Sequence, residues 1–298
     1  MDKTRFEIRR GERGYPTQLE DLEDPPEVLR GYGDPTAMEG PCIAVIGARL
    51  ATPYGIAVAE MAGRVAAECG IVVVSGGALG CDSAALRAAQ KAGGRVVVVP
   101  GSGADVVYPR ESLDVFEKAA FGGSCVVSIE RWGMTPTRYT FPKRNRIIAA
   151  LSQCLMVAEA GERSGTTSTA DCAAELGRTI YAVPGSIFSP ESVGANRLIS
   201  NGAAVICSEE DLEVRISLDF GVVRLMSQGQ PRRHNGLLAA LVSSPMRPDD
   251  LANRLGEDPL DILYTLADYE LRGVVERLPD GRYAPTRETY LMHDTIEG

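Results

Sequence analysis

Short apolar runs recur along the first two thirds of the chain, and alanine-rich stretches with helical spacing separate them. A run that is apolar at every position predicts a strand covered on both faces, as in a parallel sheet. Seven such strands are predicted, at 42–46, 71–74, 95–99, 125–129, 154–158, 179–183 and 203–206. Helices are predicted between them, at 54–69, 82–92, 111–120, 144–152, 167–176 and 194–200.

This alternation is typical of an α/β fold with a doubly wound, mostly parallel sheet of the extended Rossmann-like kind, which we expect over residues 41–215. Residues 1–40 are polar and rich in turn-forming proline and glycine, which favours an N-terminal arm or a truncated helical cap. The alternation stops after Asp211, and a polar segment follows. We therefore expect a linker over residues 216–235.

The remaining residues, 236–298, have a different pattern. Helices are predicted at 237–242, from Arg247 onward and from Pro259 to Leu271. Two short strands then flank Pro279-Asp280-Gly281, which is a hairpin turn signal. Three helices followed by a hairpin predict a small C-terminal winged-helix domain.

Composition narrows the class of protein. With 298 residues, of which 44% are hydrophobic and 24% charged, the chain can bury a sizeable core. No apolar run reaches the roughly 20 residues of a membrane span, and the N-terminus lacks a signal-peptide pattern, so we expect a cytoplasmic protein without membrane contacts. Seven scattered cysteines and only two histidines favour buried thiols over a metal site, and we expect no metal or other cofactor.

Charge is distributed unevenly. The net charge of −9 argues against indiscriminate binding to polyanions. Residues 131–158 nevertheless contain no acidic residue and carry Arg131, Arg138, Lys143, Arg144 and Arg146. Pro142 suits the first turn of a helix, so these cations are expected around a helix N-terminus, where free N–H groups already favour an anion such as phosphate.

Glycine-containing turns follow several predicted strands, where the ligands of doubly wound sheets bind. They are Gly47-Ala48-Arg49, Ser75-Gly76-Gly77, Pro100-Gly101-Ser102-Gly103 and Ser164-Gly165-Thr166. Gly76-Gly77 and Gly101-x-Gly103, each taken alone, favour a tight turn that binds nothing, whereas Arg49 directly after a strand-end glycine favours ligand contact over a surface ion pair. Together, at one edge of a sheet, they predict a site for an anion.

Other side chains have a structural as well as a functional interpretation. Phe141 could pack in the core or stack on a base, and Trp132 could anchor a loop or meet a ligand. Asp82 and Glu159 lie near predicted strand ends, where a carboxylate more often caps a helix than performs catalysis. Arg146 is expected on a different side of its helix from Arg144.

The order of these motifs resembles the DNA-processing protein A (DprA/Smf) family. The resemblance runs over residues 42–210, and the C-terminal domain resembles that of the family as well. Its motifs are Gly47-x-Arg49, Ser75-Gly76-x-Ala78-x-Gly80-x-Asp82, Phe141-Pro142-x-Arg144-Asn145-Arg146, Ser164-Gly165-Thr166 and Val183-Pro184-Gly185. One departure is Leu86, since the family usually has histidine there.

The resemblance implies a protein without enzymatic activity that binds single-stranded DNA and protects it. It also implies help in loading a RecA-type recombinase during natural transformation, usually as a homodimer. Carried onto this chain, the DNA contacts would be Arg49, Ser75, Gly76, Arg138, Phe141, Lys143, Arg144 and Asn145. The phosphate-binding loops would be Gly47 and Ser164-Gly165-Thr166. Arg49→Ala and Arg144→Ala are each expected to weaken DNA binding without unfolding the protein.

Two alternatives remain. Nucleotide-processing phosphoribohydrolases have similar sheets, but the nearest match to their motif, at residues 100–105, lacks the glutamate that performs acid-base chemistry. A sensor that binds a small nucleotide is the second alternative. The size of the ligand distinguishes both from a strand-binding protein.

The C-terminal charges disagree with a DNA-binding winged helix. Residues 231–298 carry eight arginines, no lysine and twelve Asp or Glu residues, a net charge of −4. The third predicted helix of this domain carries Asp261, Asp268 and Glu270. Because acidic side chains on that helix repel phosphates, we predict that the domain contacts protein or packs on its own partner domain.

Overall fold

The computed structural model describes residues 4–162, 164–222, 237, 240–241, 244–286 and 289, without the side chain of residue 268. The chain divides into two units, Met1–Met226 and Ser227–Gly298, and each is described by itself. No helix within the described ranges is long and apolar enough to cross a membrane. The same ranges contain no cluster of three or more His, Cys, Asp or Glu side chains suited to a metal ion.

The first unit is built on one twisted sheet whose strands follow the order β1-β2-β6-β5-β4-β3-β7-β8-β9. The strands are β1 (Arg5–Arg9), β2 (Val28–Gly33), β3 (Cys42–Ile46), β4 (Val72–Ser75), β5 (Val96–Val98), β6 (Cys125–Ser128), β7 (Cys154–Val157), β8 (Thr179–Ala182) and β9 (Ala204–Val205). From β3 to β9 all pairings are parallel. All seven strands predicted from the apolar runs are present, which confirms the doubly wound α/β class.

Helices cover both faces of the sheet. They are α1 (Pro53–Glu68), α2 (Cys81–Lys91), α3 (Leu113–Ala119), α4 (Thr140–Leu151), α5 (Gly165–Glu175), α6 (Val193–Ser200) and α7 (Glu209–Phe220). Helices α1, α2, α3 and α7 contribute to the core on one face. Helices α4, α5 and α6, with the N-terminal residues, contribute to the core on the other. Six of the seven cysteines are buried in these layers, and Cys207 is exposed.

The N-terminal residues extend the sheet. Strand β2 pairs antiparallel with both β1 and β6, and alternate residues of β2 are buried. Trp132 fixes this edge, because its Nε1 donates to Glu7 at 2.8 Å and the Arg5 guanidinium lies 3.7 Å from its ring centroid. Of the two interpretations of Trp132, loop anchor and ligand contact, these contacts support the loop anchor.

Helix α7 continues beyond residue 215, where the composition predicts a linker. Leu212 and Ile216 are buried against the sheet, and the Tyr181 hydroxyl donates to the Asp219 carboxylate near the end of the helix. Burial raises the pKa of Tyr181, so this hydroxyl stays protonated and available as a donor. The ordered first unit thus includes α7, and the rest of the predicted linker, residues 223–235, falls outside the described residues.

The second unit contains α8 (Pro248–Leu255), α9 (Pro259–Leu271), β10 (Val275–Arg277) and β11 (Tyr283–Pro285). Strands β10 and β11 form the predicted antiparallel hairpin. Helix α9 begins at the predicted Pro259, and α8 begins at Pro248, one residue after the predicted Arg247. The predicted helix 237–242 lies largely outside the described residues, although Leu237, Ala240 and Leu241 are helical and buried. This arrangement is that of a winged helix with its own small core.

Helices α1 and α2 approach each other so closely that one position requires glycine. A Cβ added to Gly63 of α1 would lie 2.2 Å from the carbonyl oxygen of Ala85 in α2.

Gly63→Ala is therefore expected to destabilise the protein by about 2 kcal/mol through overpacking, although alanine is the better helix former. Urea unfolding of the full chain measures this loss. Glu60→Ala, an exposed position of the same helix, is the control, and a Gly63→Ala variant as stable as this control would contradict the packing.

Candidate functional site

The strand order reverses between β3 and β7. Strands β4, β5 and β6 are added in turn on one side of β3, and β7, β8 and β9 are then added on its other side. The turns after β3 and β7 therefore diverge and leave a crevice, where ligands of such sheets bind. A cavity of about 600 Å³ occupies this position. Seven of the predicted site residues line it: Gly47, Arg49, Arg144, Asn145, Ser164, Gly165 and Thr166.

Arg144 is buried in the wall of this cavity, with 5% of its surface exposed. Its guanidinium lies over Gly76, where an added Cβ would come within 1.2 Å of Nη1. The same Nη1 is 3.7 Å from Oδ2 of Asp82, which also accepts a hydrogen bond from the Gly76 N–H at 3.2 Å. Gly76 leaves the space that the Arg144 guanidinium occupies, and the Asp82 carboxylate pairs with that guanidinium. Both residues therefore position Arg144.

The electrostatics of this pair are set by burial. Burial lowers the pKa of Arg144, and the nearby charge of Arg49 lowers it further, while Asp82 opposes both effects. Burial likewise raises the pKa of Asp82, against the attraction of Arg144. The guanidinium remains charged because its ordinary pKa is very high. Its Nε is buried without an acceptor among the described atoms, so Arg144 has hydrogen-bonding capacity that the protein does not use.

Phe141 lies beside both arginines. The Arg49 guanidinium lies 4.8 Å from the centroid of the Phe141 ring, and that of Arg144 lies 6.0 Å from it. The ring is half-buried, and it packs so tightly on Gly101 that an added Cβ would lie 2.7 Å from it. Two like charges beside one aromatic ring repel each other, and a bound anion would relieve that repulsion.

The start of α5 completes the cavity wall. Ser164 caps this helix, since its hydroxyl accepts from the Thr166 N–H at 3.1 Å. Asn145 of α4 donates to the Gly165 carbonyl at 3.3 Å and so ties the two helices together. Unpaired N–H groups at a helix N-terminus bind anions. The arginines and this helix start therefore form two parts of one electropositive surface.

The remaining predicted residues lie elsewhere. The Ser75 hydroxyl is buried and donates to the Val45 carbonyl at 2.6 Å. Lys143 lines a second cavity of about 420 Å³ together with Arg146, while Arg144 faces the first cavity. Arg138 is exposed and packs on the ring of Tyr139, 4.7 Å from its centroid. The motif at 141–146 thus supplies side chains to two sides of α4.

Two acidic residues of the site were not among the predicted contacts. For Asp82 the sequence favours a loop or helix-cap partner over a catalyst, and its pairing with Arg144 depends on the tertiary contact between α2 and α4. Glu191 reaches the cavity from the segment between β8 and α6, and no sequence motif marks it. Glu159 follows the structural interpretation, because its carboxylate accepts from the Thr52 N–H at 2.8 Å at the start of α1. Leu86 is fully buried in the core.

Burial changes the expectation that Arg144→Ala leaves the fold intact. The substitution abandons a buried carboxylate and is expected to destabilise the protein by about 3 kcal/mol. Without its partner, the pKa of Asp82 rises further above its unfolded value, so stability is gained as pH falls and the Asp82 carboxyl takes up its proton.

The loss in free energy of unfolding of Arg144→Ala, relative to the unmodified protein, should therefore be smaller at about pH 5 than at about pH 8 in urea unfolding. Arg49→Ala, at an exposed position, should leave stability unchanged at both values. An Arg144→Ala variant as stable as Arg49→Ala at the higher pH would contradict the buried pair.

Comparison with known proteins agrees with this geometry. The family model for DNA recombination-mediator protein A matches residues 7–217, and the DprA winged helix domain model matches residues 227–281. Protein Smf of Escherichia coli is 32% identical over 293 residues, which covers 95% of this chain and 78% of Smf. The DNA processing protein DprA of Bacillus subtilis is 39% identical over 199 residues, which covers 66% of this chain and 67% of the relative.

Solved structures give the same result. DprA of Streptococcus pneumoniae superposes with a TM-score of 0.66 at 35% identity, over 69% of this chain and 72% of that protein. DNA processing protein A of Helicobacter pylori, whose structure concerns its single-stranded DNA binding mode, has a TM-score of 0.65 at 28% identity, over 72% of this chain and 96% of that protein. The chain belongs to the DNA recombination-mediator protein A family.

Proposed function

We propose that this protein binds single-stranded DNA at the crevice between β3 and β7. The strongest support is the pair Arg49 and Arg144, two guanidinium groups that lie beside one phenylalanine ring. A phosphate group would satisfy both charges and the free donors of Arg144. Because the backbone phosphates of DNA are the same for every base, such a contact binds a strand irrespective of sequence.

The aromatic ring extends this proposal to the bases. Phe141 is half-buried beside Arg49 and Arg144, with Tyr108 at a centroid distance of 6.2 Å. Bases of an unpaired strand stack on such rings, whereas those of a duplex are already stacked on each other. A strand that places one phosphate between the arginines and a base near Phe141 would use both features. The start of α5 would hold the same or the next phosphate.

Family membership supports the wider role. We propose that the protein protects incoming DNA and helps to load a RecA-type recombinase during natural transformation, as a cytoplasmic homodimer. We also propose that it acts by binding rather than by turnover. Two of the three carboxylates in or near the cavity have structural roles that favour this view, since Asp82 pairs with Arg144 and Glu159 accepts from the Thr52 N–H at the start of α1.

A small nucleotide is the second candidate ligand. The cavity volume of about 600 Å³ lies within the range of sites that enclose small molecules. Length dependence separates the two ligands, because a strand-binding surface gains affinity with each added nucleotide until the surface is filled. A sensor or a nucleotide-processing enzyme would instead prefer a mononucleotide to oligo-dT.

Arg49→Ala tests the proposed DNA contact without disturbing a buried pair. We expect it to weaken binding of fluorescent oligo-dT by about tenfold, and to reduce the slope of log affinity against log salt by about one. Anisotropy titrations at two salt concentrations measure both quantities. Arg87→Ala is the matched control, because that arginine already pairs with Asp114 at 2.8 Å outside the cavity.

Lys143→Ala should have a smaller effect than Arg49→Ala, since Lys143 lines the second cavity and not the first. If Arg49→Ala binds oligo-dT as tightly as Arg87→Ala, the proposed site is wrong. If both unmodified protein and variants bind a mononucleotide better than oligo-dT, the second candidate replaces the first.

For the winged-helix unit we propose a protein contact instead of DNA. Helix α9 exposes large apolar side chains at Leu260, Leu263, Tyr264 and Leu271, and the same helix carries the exposed acids Asp261 and Glu270. The spacing makes Leu260, Leu263 and Tyr264 neighbours on the helix surface, and Leu271 lies two turns further along the helix. An apolar surface among acidic residues suits a protein partner and repels DNA phosphates.

Deletion of residues 231–298 is therefore expected to change oligo-dT affinity by less than about twofold, since the removed segment is net acidic. The same anisotropy titration measures this, with circular dichroism to check that the first unit remains folded. A loss as large as that of Arg49→Ala would mean that the winged helix binds DNA after all.

A further inference from the structure

The cavity between β3 and β7 has one negatively charged side chain that pairs with no cation. Glu191 lines the cavity from the short turn Pro190–Ser192, and no cation of the described chain lies within ion-pair distance of it. Asp82, the other acid of the cavity, is paired with Arg144. The cavity therefore carries a cationic part, formed by Arg49 and Arg144, and one separate carboxylate.

The Glu191 carboxylate is exposed and accepts a hydrogen bond from its own turn. The Ser189 hydroxyl donates to its Oε2 at 2.7 Å, and this hydrogen bond lowers the pKa of Glu191. One oxygen of the carboxylate is thus engaged by the protein. Glu191 is exposed and lines the cavity whose proposed ligand is a nucleic acid, so the remaining lone pairs are accessible to that ligand.

The turn that carries Glu191 is fastened to the rest of the site. Asn196 exchanges two hydrogen bonds with the backbone of Gly185, at 3.1 and 3.0 Å. The Gly194 N–H donates to the Ala160 carbonyl at 2.8 Å, and an added Cβ at Gly194 would lie 2.4 Å from the Gly161 carbonyl oxygen. Because Gly161 also lines the cavity, the fold fixes the segment on which Glu191 stands.

A carboxylate in this place distinguishes the parts of a nucleotide. It repels phosphate, and it accepts hydrogen bonds from the N–H groups of a base. Thymine offers one ring N–H between two carbonyl oxygens, and those oxygens would themselves be repelled. Guanine offers its ring N–H and its amino group side by side, which matches the two oxygens of a carboxylate.

We propose that Glu191 contacts the Watson–Crick edge of a base in the bound strand and so makes the cavity prefer guanine to thymine. This inference rests on the proposed binding of single-stranded DNA and adds a base preference to it. The phosphates lie toward Arg49 and Arg144, and the base lies toward Glu191. The apolar surface of Pro190, in the same cavity, is next to that base.

The test compares three oligonucleotides of equal length with the full chain in lithium buffer: alternating thymine–guanine, alternating thymine–inosine and oligo-dT. Inosine keeps the ring N–H of guanine and lacks only its amino group. We expect thymine–guanine to bind about five- to tenfold more tightly than thymine–inosine, the discrimination that a good bidentate contact provides. In Glu191→Gln this ratio should fall below about twofold, with binding of oligo-dT retained.

Glu162→Gln is the matched control, because Glu162 is an exposed acid of the neighbouring turn that pairs with Arg197 at 3.3 Å and does not line the cavity. It should keep the preference for guanine. Equal binding of all three oligonucleotides by the unmodified protein would overturn the inference and leave DNA binding intact. An equal gain in affinity for all three in Glu191→Gln would overturn it too, since the carboxylate would then only repel phosphates. Failure of every oligonucleotide to bind would reject the DNA-binding proposal itself.

Discussion

The ion pair between Arg144 and Asp82, closed over Gly76, is the interaction on which the site depends. It joins the turn after β4, the first turn of α2 and the second turn of α4, so three separate parts of the chain must be in place at once. A buried guanidinium costs desolvation energy, and the partner carboxylate recovers only part of it. The arginine gains a fixed position in return. A ligand that binds it has little side-chain entropy to remove, which favours binding.

This local arrangement explains how an acidic protein can carry a site for an anion. The net charge of −9 describes the field at long range, whereas binding depends on the groups that contact the ligand. Arg49, Arg144 and the start of α5 converge where the strand order reverses. A division of tasks between a DNA-binding first unit and a protein-binding second unit is consistent with both charge patterns.

The sequence predicts the central strands well because each is apolar at every position. The sequence pattern does not predict strands β1 and β2. An antiparallel edge with one exposed face alternates apolar and polar residues, and turn-forming residues surround these two strands. Helix α7 is not predicted either, because only two of its residues, Leu212 and Ile216, are buried and its apolar pattern is therefore weak. Its end is held by a hydrogen bond from Tyr181 to Asp219, and Tyr181 is remote in sequence.

The site is predicted in part. Its glycine turns and arginines follow from the positions of strand ends, and the structure brings seven of those residues to one cavity. Adjacent residues of a helix point about 100° apart, so Lys143 and Arg144 face different cavities although one motif contains both. Glu191 could not be found in this way, because its approach to the cavity depends on tertiary contacts of the segment between β8 and α6.

The central claim, that a phosphate of single-stranded DNA is held by Arg49 and Arg144, is tested most directly by nuclear magnetic resonance of the arginine side chains. The Nε–H signals of ¹⁵N-labelled protein would be followed while oligo-dT is added, with single Arg→Lys variants to assign them. We expect the signals of Arg49 and Arg144 to shift and saturate together, and that of Arg87 to remain in place. Saturating DNA binding with the Arg49 and Arg144 signals unmoved would contradict the claim.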